Sequence, residues 1–229
     1  MSEPPPTLVG MRILHTSDWH IGRTFHGNST LESLRGVLDA LVRQVSEHDV
    51  DVVVVAGDVF DSSMPAADCY GVLTGALRGI RDAGAKVVVT SGNHDSAARL
   101  GFQAPLLESG VHMLTDAREV GTPVTIDGVH FYGIPYLEPA LVRHLWPDEE
   151  LRTQQQAMAH AMRLINADRA ERGGVSVAIA HCFVAGVPAP PHPEPEARQA
   201  LRQGTTHVAP LPELAGLDPV PPGHIHGRR

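Results

Sequence analysis

The chain has 229 residues, of which 42% are hydrophobic and 19% are charged, and its formal net charge is −8. This length allows one substantial α/β core, or one core with a small appendage, and the composition is ordinary for a globular protein. The negative charge argues against a protein that holds nucleic acid by a broad basic surface, although it does not exclude chemistry on nucleic acid at bound cations.

Cysteine usage and hydropathy predict a cytoplasmic protein. Cys69 and Cys182 form no C-x-x-C motif and predict no disulfide framework. No apolar run approaches the roughly 18 residues of a membrane span, and no basic, apolar signal segment begins the chain. Residues 1–10, which include three consecutive prolines, are expected to be a disordered extension, and residues 11–229 a single domain.

The first half of the chain alternates apolar runs with helical periodicity. In chain order it predicts a strand over residues 12–16, a helix over 31–48 opened by a Ser29–Glu32 capping box, a buried strand over 52–56, a helix over 65–83, a strand over 86–90 and a shorter helix over 96–107. Strands that alternate with helices predict an α/β fold, with layered β-sheets and helices on their faces.

The second half continues this pattern and then changes in character. It predicts a hairpin of strands 124–126 and 129–132 around Asp127-Gly128, a helix over 148–172 ended by Gly173-Gly174, and a buried strand over 175–180. Ten of the 19 prolines then fall between residues 188 and 222, where only a short helix over 194–203 is suggested. Residues 186–222 are therefore an atypical, proline-rich segment.

Polar side chains that can bind metal ions follow the predicted strands. They are Asp18, His20, Asp58, Asn93, His181, His224 and His226. Oxygen and imidazole ligands without thiolate suit Mn, Fe or Zn rather than a Cys-rich structural zinc site. Pairs spaced D-x-H and H-x-H can bind one metal or reach two neighbouring ones. A carboxylate that bridges two cations about 3.5–4 Å apart would form the arrangement that clamps phosphoryl groups.

Five motifs, in this order, resemble the signature of the calcineurin-like metallophosphoesterase superfamily. They are D-x-H at Asp18–His20, G-D-x-x-D at Gly57–Asp61, G-N-H-D at Gly92–Asp95, the lone His181 after a strand, and G-H-x-H at Gly223–His226. Within the superfamily, residues 12–22, 57–61 and 92–100 look like those of SbcD-type nuclease subunits. These proteins work with SbcC, an ATPase with a long coiled coil, to process DNA ends.

The resemblance implies a layered metallophosphoesterase fold, with central mixed β-sheets flanked by helices, and a role for each motif residue. Asp18, His20 and His226 would hold one manganese ion, Asn93, His181 and His224 a second, and Asp58 would bridge the two. His94 would donate a proton to the leaving oxygen, and Asp95 would orient the His94 ring. The chain would then be a 3′–5′ exonuclease on duplex DNA and an endonuclease on single strands.

The same resemblance implies partners and a cellular role. The chain would act on DNA with an SbcC-type ATPase in repair, recombination and replication, associated with the nucleoid. It would form a homodimer through helices at residues 65–83 and 96–109. The capping domain and the SbcC-binding region of the family are expected to be missing, so the chain is a catalytic-domain fragment or a shortened relative.

Two other functions stay open, one of them because of a departure from the family pattern. Asp218-Pro219-Val220-Pro221-Pro222 precedes G-H-x-H, and proline lacks the N–H that a central strand donates, so the last strand is expected to be short, displaced or absent. The alternatives are a phosphoesterase of small molecules such as cyclic nucleotides, and a non-catalytic assembly subunit with an impaired metal site.

Several further residues have two interpretations each. Asp61 supports a metal ligand or caps the helix after Pro65. Arg23, His26 and Arg99 contact DNA phosphates or are solvated loop residues. Cys182 follows His181, and strand alternation directs it to the opposite face, which favours a buried apolar role over ligation.

Overall fold

The computed structural model describes residues 10–107 and 110–185, and the backbone of residues 208–210 and 218–219. For residues 183–185 it also describes only the backbone. Residues 1–9 of the predicted extension over 1–10, the predicted helix over 194–203, and His224 and His226 lie outside the described residues.

The described strands and helices alternate along the chain. The strands are β1 (Ile13–Thr16), β2 (Thr24–Phe25), β3 (Asn28–Ser29), β4 (Val52–Ala56), β5 (Lys86–Thr90), β6 (Val111–Met113), β7 (Val124–Ile126), β8 (Val129–Ile134), β9 (Val175–Ala180), β10 (Phe183–Ala185), β11 (Val208–Pro210) and β12 (Asp218–Pro219). The α-helices are α1 (Leu31–Glu47), α2 (Ala67–Asp82), α3 (Ala97–Leu100), α4 (Pro139–Val142) and α5 (Gln154–Arg172), with 3₁₀ turns at Ala104–Leu106 and Ala117–Glu119.

Two four-stranded sheets form the centre of the fold. The first has the order β1-β4-β5-β6 with every pair parallel, and the second has the order β12-β9-β8-β7 with β7 antiparallel to β8. Smaller pairs are the β2–β3 hairpin and the parallel pair of β10 with β11.

The sheets stack on each other because alternate residues of each strand point to opposite faces. Val52 and Val54 of β4 pack against Phe131 and Ile179 of the second sheet. The other face of β4 packs against α1 and α2, and α5 covers the outer face of the second sheet. The result is helix, sheet, sheet, helix, which confirms the predicted α/β class of mixed sheets flanked by helices.

Several predicted elements are confirmed. All five residues of β4 are buried. Asp127 and Gly128 both have positive φ, 48° and 84°, as the tight turn between β7 and β8 requires. The strand before the last motif is short, since β12 has two residues and pairs with Val177 and Ala178 of β9. Within the described part of the chain, no helix has the length and apolarity that crossing a membrane requires.

Three predicted helices differ from the structure. The helix over 96–107 is wrong, because α3 ends at Leu100 and Gly101 lies so close to Thr115 that a side chain at that position would collide with its hydroxyl. The long helix begins at Gln154, not at 148, where Thr153 and Gln156 form a capping box. Helix α2 begins at Ala67, two residues after Pro65.

The predicted capping box at Ser29–Glu32 is wrong. Helix α1 begins after Thr30, whose side chain does not cap it, and the Ser29 hydroxyl accepts only from the Leu31 N–H, at 3.3 Å. The Thr30 hydroxyl donates instead to the Arg23 carbonyl oxygen at 2.7 Å, which closes the base of the β2–β3 hairpin.

Candidate metal centre

The carboxyl ends of four parallel strands meet at one edge of the stacked sheets. Asp18 and His20 follow β1, Asp58 follows β4, Asn93 follows β5 and His181 follows β9. Loops beyond the carboxyl ends of parallel strands are where open α/β folds bind ligands. The two sheets join at this edge, where His181 Nδ1 lies 2.9 Å from the carbonyl oxygen of Ala56.

Unusual backbone conformations direct these side chains inward. Asp18, His20 and Asp58 have φ of 57°, 44° and 48°, in the left-handed region that residues other than glycine seldom adopt. The surrounding hydrogen bonds hold them there, because the Asp18 N–H donates to Gly57 O at 3.1 Å and the His20 N–H to Asp58 O at 3.0 Å. Such conformations persist only where neighbouring structure enforces them.

Two glycines leave the space that the side chains occupy. A Cβ at Gly57 would meet the His181 ring, and a Cβ at Gly92 would meet the carboxylate of Asp58. Glycine at these two motif positions therefore lets an imidazole and a carboxylate approach the backbone closely.

Asp58 lies at the centre of the cluster, with its side chain only 2% exposed. Its Oδ2 is 3.4 Å from His181 Nε2, 3.8 Å from His20 Nε2 and 4.0 Å from His94 Nε2. Burial opposes ionisation of Asp58, but the hydrogen bond and charge of His181, with the His94 N–H, outweigh it and lower its pKa to about 2. Asp58 is therefore a buried, ionised carboxylate surrounded by imidazoles.

The donor atoms form two groups that fit divalent cations. One group is Asp18, Asp58 and His181, the other is His20, Asp61 and His94, and within each group the ligand atoms lie within 4.8 Å of one another. Because a carbonyl oxygen only accepts, His181 Nδ1 carries a proton toward Ala56 O, and neutral His181 presents the Nε2 lone pair to a metal. Oxygen and nitrogen donors of this kind suit Mn, Fe or Zn.

The structure brings together five of the seven predicted ligands, namely Asp18, His20, Asp58, Asn93 and His181. Asn93 Oδ1 lies 3.2 Å from His181 Nε2. His224 and His226 lie outside the described part of the chain, so their place in the cluster stays a prediction. Cys182 is buried in the apolar core, and burial raises the pKa of its thiol to about 12, which confirms its apolar role.

The predicted contact of Asp95 with the His94 ring is wrong. The His94 Nδ1 lies 3.0 Å from the carbonyl oxygen of Asp61. The Asp95 carboxylate instead accepts three backbone N–H groups, from Val59 at 3.1 Å, Phe60 at 2.8 Å and Gly92 at 2.8 Å. Asp95 therefore ties the loop after β4 to the loop after β5.

We expect Asp95→Ala to lower the free energy of unfolding by about 3 kcal/mol, because it leaves three buried N–H groups without their acceptor. Asp95→Asn keeps one acceptor oxygen, and we expect a loss of about 1 kcal/mol. Urea denaturation of both variants measures the difference. Equal stability of wild type and Asp95→Ala would contradict the structural role.

Two residues near the site were not clearly assigned to it from the sequence. Asp61 had two interpretations, and Tyr136 had none. Asp61 Oδ1 lies 3.1 Å from His20 Nδ1, and helix α2 has no side-chain cap, so the metal-side interpretation of Asp61 holds. Tyr136 lies next to the loop of G-N-H-D, because its N–H donates to the carbonyl oxygen of Ser91 at 2.8 Å, and burial raises the pKa of its hydroxyl. Asp61 could be found from the sequence because it is the second aspartate of G-D-x-x-D. For Tyr136, the only signal in the sequence was its position after a buried strand.

We expect a rise in pH to weaken the contribution of His181 and Asp95 to stability and to strengthen metal binding. Burial lowers the pKa of His181, but the hydrogen bond and charge of Asp58 outweigh it and raise that pKa above its usual value. Burial also raises the pKa of Asp95 to about 6. Both groups bind protons more tightly when folded, so the stability they contribute is lost as pH rises through their folded pKa values.

Metal binding requires neutral His181 and therefore strengthens over the same rise in pH. Thermal melts at pH 5.5 and 7.5 should show a larger Mn²⁺-induced increase in Tm at pH 7.5. An Mn²⁺-induced increase that is the same at both pH values would exclude His181 from the metal ligands.

Comparison with known proteins gives one strong match. The family model of calcineurin-like phosphoesterases matches residues 11–183, which is more than half of the chain and ends before the G-H-x-H motif. The protein TT1561 of Thermus thermophilus is 13% identical, with a TM-score of 0.49 over 83% of this chain and 76% of that chain. The family 1 β-glucosidase from Thermotoga maritima is 9% identical, with a TM-score of 0.33 over 84% of this chain and 52% of that chain. At these levels neither structure bears on activity.

Proposed function

We propose, since the chain belongs to the calcineurin-like phosphoesterase family, that it is a DNA phosphodiesterase that works with two manganese ions. The observation that carries this proposal is the position of Asp58. Its buried carboxylate lies within 4.0 Å of imidazole nitrogens from three different loops, those of His20, His94 and His181. A single carboxylate in that position is suited to bridge two cations.

The ligands we assign are those of the five motifs. Asp18, His20 and His226 would hold one ion, Asn93, His181 and His224 would hold the other, and Asp58 would serve both. When bound, the two ions polarise the phosphoryl group and lower the pKa of a water molecule from about 15.7 toward 7.

Charge balance explains how an acidic chain can hold a phosphodiester. Two divalent cations bring four positive charges, and Asp18, Asp58 and the neighbouring Asp61 supply three negative ones, which leaves a local charge of about +1. The substrate phosphate is therefore attracted to the site although the whole chain has a formal net charge of −8.

His94 is the proton donor in this proposal. Its side chain is 43% exposed, so a substrate can reach it. The carbonyl oxygen of Asp61 holds the proton on Nδ1, and the transferable proton is therefore the one on Nε2 of the imidazolium. The leaving oxygen of the substrate receives that proton.

The finer assignment to DNA rests on the resemblance to SbcD-type subunits in residues 12–22, 57–61 and 92–100. It includes 3′–5′ exonuclease activity on duplex ends, endonuclease activity on single strands, an SbcC-type ATPase partner, a homodimer through residues 65–83 and 96–109, and association with the nucleoid. We propose all of these features together with the DNA phosphodiesterase activity.

A cleavage assay with Mn²⁺ tests the proposal. We expect linear duplex DNA to be shortened from its 3′ ends, circular single-stranded DNA to be cut, and both activities to stop on addition of EDTA. Cleavage of a cyclic nucleotide without cleavage of DNA would favour a small-molecule phosphoesterase. Metal analysis that finds less than one equivalent, with no hydrolysis, would favour a non-catalytic subunit.

A further inference from the structure

A cavity of about 260 Å³ opens beside the metal centre, between the loop after β1 and helix α1. Asp18 and His20, two of the assigned metal ligands, form one wall of this cavity. Trp19, Leu34 and Val37 give it apolar surface. We call this space the Trp19–Val37 cavity. Its position means that a group placed in it would lie next to a phosphate held at the metal centre.

We propose that the Trp19–Val37 cavity binds the nucleoside esterified to the scissile phosphate, and that Arg23 binds the next phosphate of the same strand. This inference rests on the proposed phosphodiesterase function and specifies its substrate as a nucleotide strand. The volume supports one nucleoside, because sites that enclose whole drug-sized ligands measure about 300–1,000 Å³.

Trp19, Leu34 and Val37 form an apolar surface that suits contact with the flat face of a base. The Trp19 indole N–H donates to the Thr16 hydroxyl at 2.9 Å, which fixes the ring as a buried wall. Val37 lies on helix α1, and 62% of its surface is exposed. Contact between apolar surface and water is unfavourable in free energy. A base seated in the cavity would cover that surface, and contact with apolar and aromatic side chains is tolerant of base identity.

Arg23 supplies a positive charge at the cavity. Its backbone is held from both sides, since its N–H donates to His20 O at 3.0 Å and its carbonyl accepts from the Thr30 N–H at 3.1 Å and hydroxyl at 2.7 Å. Among the described residues its guanidinium forms no ion pair, in contrast to Arg12 and Arg163. A guanidinium on a fixed backbone that is not neutralised by a carboxylate is suited to bind a phosphate.

The hairpin that follows Arg23 extends this surface. Thr30 closes the hairpin of β2 and β3 onto Arg23. Phe25, the last residue of β2, is 69% exposed, and its ring lies 4.3 Å from that of His26. Exposed aromatic rings beside a cationic groove are characteristic of proteins that bind single strands.

Substrates that differ only in the nucleoside test the cavity. With Mn²⁺, we expect thymidine 5′-(p-nitrophenyl phosphate) to be hydrolysed with at least a tenfold higher kcat/KM than methyl p-nitrophenyl phosphate. Ser33→Trp places a bulky ring in the cavity and should reduce this preference at least tenfold. Ser46→Trp is the matched control, because Ser46 is exposed on the same helix and does not line the cavity.

A second pair of substrates tests Arg23. Adding a 3′-phosphate to the thymidine ester should raise kcat/KM several-fold in wild type, and Arg23→Ala should abolish that gain. Arg23→Lys should retain part of it, and Arg43→Ala, at the far end of helix α1, should retain all of it. Equal gain in wild type and Arg23→Ala would overturn the assignment of Arg23.

The outcomes separate this inference from the function on which it rests. If both the methyl and the thymidine ester are hydrolysed equally well, the cavity assignment is overturned and the phosphodiesterase proposal stands. If neither is hydrolysed, the phosphodiesterase proposal fails, and calorimetric titration of thymidine 3′,5′-bisphosphate with Mn²⁺ still tests the cavity. Weaker binding to Ser33→Trp than to Ser46→Trp would support it, and equal binding would overturn it.

Discussion

Replacing His94 with alanine is expected to lower kcat by about 10²–10⁴-fold, the range typical of losing a general acid. Metal content should not change, because in the proposed mechanism His94 donates a proton and is not a ligand. Mn²⁺-dependent cleavage of linear DNA and calorimetric titration with Mn²⁺ measure the two effects on the same preparation. His144→Ala is the control, since His144 is an exposed histidine away from the site.

The calorimetric result also decides between two roles that the geometry allows. His94 shares a group of donor atoms with His20 and Asp61, so it could instead be a metal ligand. In that case His94→Ala would bind one fewer Mn²⁺ equivalent, and the role as proton donor would be rejected.

Asp58→Asn is expected to have the second large effect, a loss of about 10³-fold in kcat. Stabilisation of a phosphoryl transition state by a metal ion is worth several kcal/mol, and about 4 kcal/mol corresponds to 10³-fold in rate. The amide is neutral and cannot serve both cations as the carboxylate does, so metal content should fall from two equivalents to one or none. Metal analysis after dialysis, together with the DNA cleavage assay, measures both changes.

Asp39→Asn is the matched control for Asp58→Asn. Asp39 is exposed on helix α1, and its substitution removes the same charge from the chain. Retention of two metal equivalents and full activity in Asp58→Asn would reject Asp58 as the bridge between two ions.

Local signals were sufficient for the strands and for most of the candidate ligands. The run Val52–Ala56 is β-branched and apolar almost without interruption, and such a short run is typical of a strand buried on both faces. The polar residues after these strands could be assigned to one edge, because the carboxyl ends of parallel strands point the same way. Asp18, Asp58 and Asn93 were found in this manner.

Contacts between residues far apart in the sequence determine the features that could not be predicted from local signals. Helix α3 ends at Leu100, and the next residue, Gly101, lies against Thr115, a residue of a different segment. Asp95 was assigned to the His94 ring from adjacency in sequence, but its three partners are backbone N–H groups, two of which lie more than 30 residues earlier. A motif shows which residue types form a site. The hydrogen-bond partners of those residues depend on how the loops pack together.

The hydrogen bonds between the loop of Asp18 to Ile21 and the loop of Gly57 to Val59 have a consequence for how ions enter the protein. These bonds hold the left-handed backbone of Asp18, His20 and Asp58 through protein contacts alone. The entropy of ordering this backbone is therefore lost during folding and not during ion capture. The speed of loading should then be set by how fast each hydrated ion sheds its water, which is an intrinsic property of the ion.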